Sequence, residues 1–189
     1  MNVIPKVLRR IGFCITTVLA KMRWRDNLIV EGMLKKRLDT QIIISDTGKM
    51  RVGKNVRFQK RVSLTSGGGK LTIGSNVSFN RNCILICRDN ITIGDNTIFG
   101  PGVTIYDHDH VFSAEGILPG FRYGSVIIEQ GCWIGANVII LRDTYIGKGS
   151  VIGAGSIVKG NIPPHSLVTN NRNINIVSIR DRKDMEQLE

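Results

Sequence analysis

Residues 126–163 read VIIEQGCWIGANVIILRDTYIGKGSVIGAGSIVKGNIP, and they step in sixes. Ile128, Ile134, Ile140, Ile146, Ile152 and Val158 each stand six residues after the last, and Gly135, Gly147 and Gly153 directly follow three of them. Four places after an aliphatic comes a small residue or a short aliphatic, at Val138, Thr144, Ser150, Ser156 and Ile162. A period of six matches neither the 3.6 of a helix nor the 2 of an ordinary strand. It fits a solenoid of triangular coils. Each hexad makes one flat side, its aliphatic points inward, and Gly or Asn takes the tight corner.

The same phase recurs upstream with interruptions. Val52-Gly53-Lys54-Asn55-Val56, Ile73-Gly74-Ser75-Asn76-Val77 and Ile93-Gly94-Asp95-Asn96-Thr97 are hexad starts, and Phe99 and Ile105 continue the last. Ile105 and Ile134 are 29 residues apart, which is not a multiple of six, so something is inserted between them. Residues 107–124, rich in Gly and containing Pro119, read as a loop thrown out of the coil. A chain of 189 residues makes one domain the default. The expected organisation is an N-terminal helical segment at 1–38, a solenoid at 39–168 and a short tail at 169–189.

The net charge is +11, and residues 1–37 carry nine basic side chains against two acidic ones, Asp26 and Glu31. In the same segment Ile4, Val7, Leu8, Ile11, Ile15, Val18, Leu19 and Met22 recur at helical spacing, with Trp24 close behind. This predicts a basic amphipathic helix. Three placements are open to it: packed on the solenoid's end, laid on an anionic membrane surface, or cleaved as a signal peptide. The uncharged run from Ile11 to Ala20 falls short of the roughly 20 apolar residues that span a bilayer. No A-x-A-like site follows it, which argues against cleavage. Aromatics make up 6% of the chain and do not interleave with basic residues in the coils, which argues against nucleic acid as a partner. Cys14, Cys83, Cys87 and Cys132 show no Cys-x-x-Cys spacing and point to a reducing, cytoplasmic setting.

Three histidines are present, and two sit together in Tyr106-Asp107-His108-Asp109-His110, where the regular coil breaks. In an extended run His108 and His110 face one side, Asp107 and Asp109 the other. Zinc takes three or four ligands at about 2.0–2.2 Å. His165 lies 55 residues after His110, several coils along the axis, and is too distant to join them within one subunit. A neutral imidazole acting as general base requires no metal and a single well-placed ring.

The repeats, the Gly100-Pro101-Gly102 turn, His110, Cys132-Trp133-Ile134-Gly135, Ile152-Gly153-Ala154-Gly155-Ser156 and Ile162-Pro163-Pro164 together resemble the hexapeptide-repeat acetyltransferases. The resemblance is to the maltose/galactoside O-acetyltransferase branch, and within it to capsule and exopolysaccharide O-acetyltransferases. It covers residues 73–168 well and 40–72 loosely. It implies a left-handed parallel β-helix and a homotrimer with acetyl-coenzyme A lying along the coil, in a groove between two subunits. His110 would be the general base and Asn80 a hydrogen-bonding partner of the acceptor or of developing charge. The two would meet at the lip of that groove. Trp133 would flank the thiol arm, Ala136 and Ala154 would let the pantetheine approach the backbone, and Tyr106, Asp107 and His108 would contact the acceptor or orient His110. The acceptor would be a sugar or polysaccharide precursor. Lys159-Gly160-Asn161 replaces the family's Thr-Lys-Asp, and Asn170-Asn171-Arg172 its Gly-x-Pro. The nucleotide end would then fall to Lys159, Arg172 or another basic side chain. N-acetyl transfer to an amino sugar or amino acid uses the same base chemistry. A metal-dependent hydratase like the γ-type carbonic anhydrases and a non-catalytic solenoid are rivals from other classes.

Overall fold

Short strands occupy three faces in rotation, each pairing in parallel with the strands one turn away. The structure is a computed structural model and describes residues 4–37, 39–114 and 116–170. The first face stacks Leu28–Val30, Lys49–Val52, Lys70–Ile73, Asn90–Ile93 and Val126–Ile128. The second stacks Gln41–Ser45, Ser63–Gly67, Ile84–Cys87 and Thr104–Tyr106. The third holds two-residue strands from Arg57–Phe58 to Leu167–Val168. Ile139–Ile146 and Ile157–Ile162 each bend round a corner and pair on both the second and first faces. This is the solenoid of triangular coils that the hexads predict, and the parallel β-helix that the resemblance implies.

Alternation along each side sends every second residue inward. Ile128, Ile134, Ile140, Ile146 and Ile152 are all sealed from solvent. Phe58, Phe79 and Phe99 stack down the interior with ring centres 5.4 and 4.6 Å apart and planes within 10° of parallel. The corners divide two demands that the hexad presents as one. Asn55, Asn76 and Asn96 adopt φ of 59°, 59° and 58°, so Asn supplies the left-handed turn. Gly135 and Gly147 are needed for clearance instead. A Cβ on Gly135 would stand 2.6 Å from the backbone N of Ala154, and one on Gly147 2.4 Å from that of Pro164.

The insert and the N-terminal helix take forms that the sequence left open. The insert is not an irregular loop: His108–Ser113 and Gly116–Tyr123 pair as an antiparallel hairpin, bulged between His110 and Val111. The helix α1 (Ile4–Trp24) forms as predicted, and it leaves Ile11, Ile15, Val18, Leu19 and Met22 of its apolar stripe exposed. α1 rests on the edge strand Leu28–Val30. Thr17 is buried and its Oγ1 accepts the Leu34 backbone N–H at 2.8 Å, while Ala20 and Trp24 pack against the core. The tail from residue 171 onward, with Arg172, lies outside the described residues.

Candidate active site

Asp107 is the last residue before the chain leaves the coil, and it turns inward, fully buried. Its carboxylate accepts the Arg88 backbone N–H at 2.9 and 3.0 Å and the Asp89 N–H at 2.8 Å. Both donors belong to the corner one rung below. The Cys87 thiol lies beside it; burial first, then the Asp107 charge, push that thiol far above its usual range. Asp107 Oδ1 stands 2.9 Å from His108 Nδ1. An imidazole whose Nδ1–H points at a carboxylate presents Nε2 as its free, proton-accepting nitrogen. The His108 ring is held without being sealed: 11% of the side chain stays exposed. Tyr106 and Phe121 meet it edge-on, at 6.2 and 5.3 Å between ring centres.

His110 is placed differently. It is exposed on the hairpin, with its ring 4.7 Å from that of Phe121 and, among the described residues, no carboxylate paired with it. The two histidines share one side of the strand, as alternation predicts, and both touch Phe121. Asp109 goes the other way and accepts Arg142 Nε at 2.6 Å, which ties the hairpin's base to a later rung. The Arg88 guanidinium lies 4.2 Å from the centre of the Phe121 ring.

The remaining candidates fall into two groups on opposite edges of the second face. Asn80, Ala136 and Ala154 share one corner column: Gly102 N bonds Arg81 O, Asn137 N bonds Pro101 O, and Gly155 N bonds Ala136 O, rung upon rung. Asn80 is exposed, and its Oδ1 accepts the next residue's N–H at 2.8 Å. Trp133, 57% exposed, stands on the strand that runs into this corner and pairs with Ile98 and Val151. Tyr106, Asp107, His108 and His110 occupy the other edge. Lys159 joins them there, since it follows Val158, which stacks over Ile140 and so over Ile105. A strand's width separates the groups, roughly 13–20 Å for four to six residues at about 3.3 Å each. The expected meeting of His110 with Asn80 is therefore not made within one protomer. Ala136 and Ala154 leave their corner without bulk, and exposed Ile98, Trp133 and Leu167 give an apolar wall beside it. A corner without bulk beside an apolar wall makes an open trough that can take an extended chain. Among the described residues no three His, Cys, Asp or Glu side chains converge as a metal set.

Sequence reading passed over Arg88, Phe121 and Arg142. The rung length was the available signal: Arg88 precedes Asp107 by 19 residues, one turn of this coil.

Residues 125–160 match the family described as bacterial transferase hexapeptide (six repeats). Over that stretch the chain is similar to this family. The chain is 38% identical over 113 residues to a galactoside O-acetyltransferase of Lactococcus lactis, covering 59% of itself and 55% of that protein. It is 37% identical over 90 residues to Escherichia coli WbbJ, provisionally named a lipopolysaccharide biosynthesis O-acetyl transferase, covering 42% of itself and 46% of WbbJ. The matched stretches thus span about half the length of these curated relatives. A variant of AntD, an N-acyltransferase from Bacillus cereus solved with a dTDP-linked amino sugar and coenzyme A, shares the fold. There the TM-score is 0.65 at 23% identity over 92% of this chain and 93% of that one.

Proposed function

We propose that the protein transfers an acetyl group from acetyl-coenzyme A to a hydroxyl of a sugar, in the assembly of a surface polysaccharide. The observation that carries this reading is the Asp107–His108 pair: a buried carboxylate fixed by three backbone contacts, aiming one imidazole at the mouth of the hairpin. Such a pair suits general-base catalysis of acyl transfer. His108 Nε2 takes the proton of the acceptor hydroxyl as its oxygen attacks the thioester carbonyl. The carbon–sulfur bond breaks, and the imidazolium returns the proton to the departing thiolate. Asp107 keeps the ring in the accepting tautomer and steadies its positive charge. This moves the base from His110, the residue implied by resemblance, to His108; His110 and Tyr106 are left to line the acceptor. The names of the relatives support the sugar and the acetyl group.

The trough with Ala136, Ala154, Trp133 and Asn80 is our candidate half-site for the donor, and Lys159 our candidate for its phosphates. Since the halves sit on opposite edges of one face, a working site takes one edge from each of two copies, which is why we favour a closed homotrimer. The place of work we favour is the cytoplasm, with α1 as the part suited to peripheral membrane contact.

The test is coenzyme A release across a panel of sugars, nucleotide sugars and amines. His108→Ala should lower kcat by about 10²–10⁴-fold, Asp107→Asn should lower kcat with little change in KM for the donor, and His110→Ala should act mainly on KM for the acceptor. Full turnover in His108→Ala removes it from the mechanism. A preference for amines over hydroxyls would replace O-transfer by N-transfer.

A further inference from the structure

α1 faces the wrong way for a helix held by its apolar stripe. At about 100° per residue, positions 11, 15, 18, 19 and 22 fall within an arc of about 100°. Ile11, Ile15, Val18, Leu19 and Met22 are 50%, 53%, 55%, 59% and 69% exposed. The sequence carries the same arc back through positions 4, 7 and 8 as Ile, Val and Leu. The side that meets the solenoid bears Thr17, Ala20 and Trp24, about 160° round the helix. What the fold covers is thus the side with one hydroxyl, one methyl and one indole, and not the aliphatic stripe. Apolar surface left contiguous in this way marks an interaction site or an aggregation hazard.

Charge decides between occupants. α1 contains Lys6, Arg9, Arg10, Lys21 and Arg23 and no acidic residue. By helical position Lys21 and Arg23 stand just outside the two borders of the apolar arc, the arrangement in which long cationic side chains reach headgroups while the stripe enters the acyl boundary. A second copy would bring an equally cationic helix face to face with the first and be repelled. Crossing the bilayer is no option either, since no helix among the described residues is long and apolar enough.

We propose that α1 is a two-sided fastening: its Thr17–Ala20–Trp24 side holds the first rung, and its Ile11–Ile15–Val18–Leu19–Met22 side lies in the surface of an anionic phospholipid bilayer. The inference stands independently of the reaction and of His108, so either can fail without the other.

The test is co-sedimentation of the full chain with vesicles of phosphatidylcholine alone and of phosphatidylcholine mixed with phosphatidylglycerol. The unmodified chain should pellet with the mixed vesicles and leave them progressively as salt is raised. The double variant Ile15→Glu, Leu19→Glu should lower the partition coefficient at least about tenfold. Lys21→Glu with Arg23→Glu should abolish the preference for phosphatidylglycerol. Ile15, Leu19 and Lys21 are exposed, and Arg23 is exposed with its guanidinium over the Trp24 ring, so a thermal midpoint unchanged in each variant separates lost binding from lost folding. The proposal is overturned if the unmodified chain ignores the anionic lipid, or if the glutamate variants bind as well as it does. It is equally overturned if Ile15→Glu, Leu19→Glu changes the oligomeric state in lipid-free buffer, because a second copy would then be the occupant.

Discussion

Asp107 shows how much one buried side chain can fix. Its two oxygens close the corner of the rung beneath, orient His108 and press on Cys87, so that folding and chemistry share a single carboxylate. The same interior makes the cysteines unequal. Burial raises Cys83 to about 11, and raises Cys87 and Cys132 as well, so these thiols stay protonated and covered at mildly alkaline pH. Cys14 is exposed on α1. In folded protein at pH 8 a disulfide reagent should therefore titrate one thiol rapidly, with the other three appearing only on denaturation. More than one fast equivalent would contradict the packing around residues 83, 87 and 132. At this scale the sequence was only half informative. The pairing of His108 and His110 on one side of a strand could be read from alternation. Which ring a carboxylate would orient could not, because that depends on Asp107 turning inward over a corner 19 residues earlier.

Among the elements, the rung is the unit, and its weak point is the clearance between rungs. Gly135→Ala would press a methyl against Ala154 backbone with no flexible side chain to yield, and overpacking of this kind costs about 1–3 kcal/mol. Phe79→Ala, which removes the middle ring of the aromatic stack, should cost about 3–5 kcal/mol. Thermal melts of the two variants should fall in that order, Phe79→Ala lowest; a Gly135→Ala melt equal to that of the unmodified chain would show that the rungs can spread. The six-residue period made these elements legible, since one inward aliphatic per side repeats whatever the corner does. The hairpin was hidden for the opposite reason. It buries no stripe of its own, exposing Phe112, Ile117 and Leu118, so no apolar alternation announces it. The direction of α1 was hidden too, because an amphipathic pattern reveals that a stripe exists but not what it meets.

For the whole molecule, the decisive fact is that the candidate donor and acceptor groups stand on opposite edges of one face. If two copies complete each site, then a chain bearing His108→Ala and a chain with its trough blocked by Ala154→Trp should each be inactive alone. Mixed and refolded together they should regain measurable acetyl transfer, because some interfaces then pair two sound edges. No recovery in co-assembled oligomers, verified by tagging one variant, would place the entire site within a single protomer. Light scattering should report three chains per particle.

The stack also acts as a ruler. α1 rests on the rung of Leu28, and the strand Val126–Ile128 that follows the hairpin lies four pairings further along, through Met50, Leu71 and Ile91. At about 4.8 Å per step the Asp107 corner stands about 19 Å from the end that carries α1. With that end moored and the axis upright, the shortest membrane-tethered saccharides would fall beneath the reactive imidazole, and only lengthened ones would reach it. Rung number would then set the minimum size of chain that is modified, and deleting one full turn should shift that threshold downward.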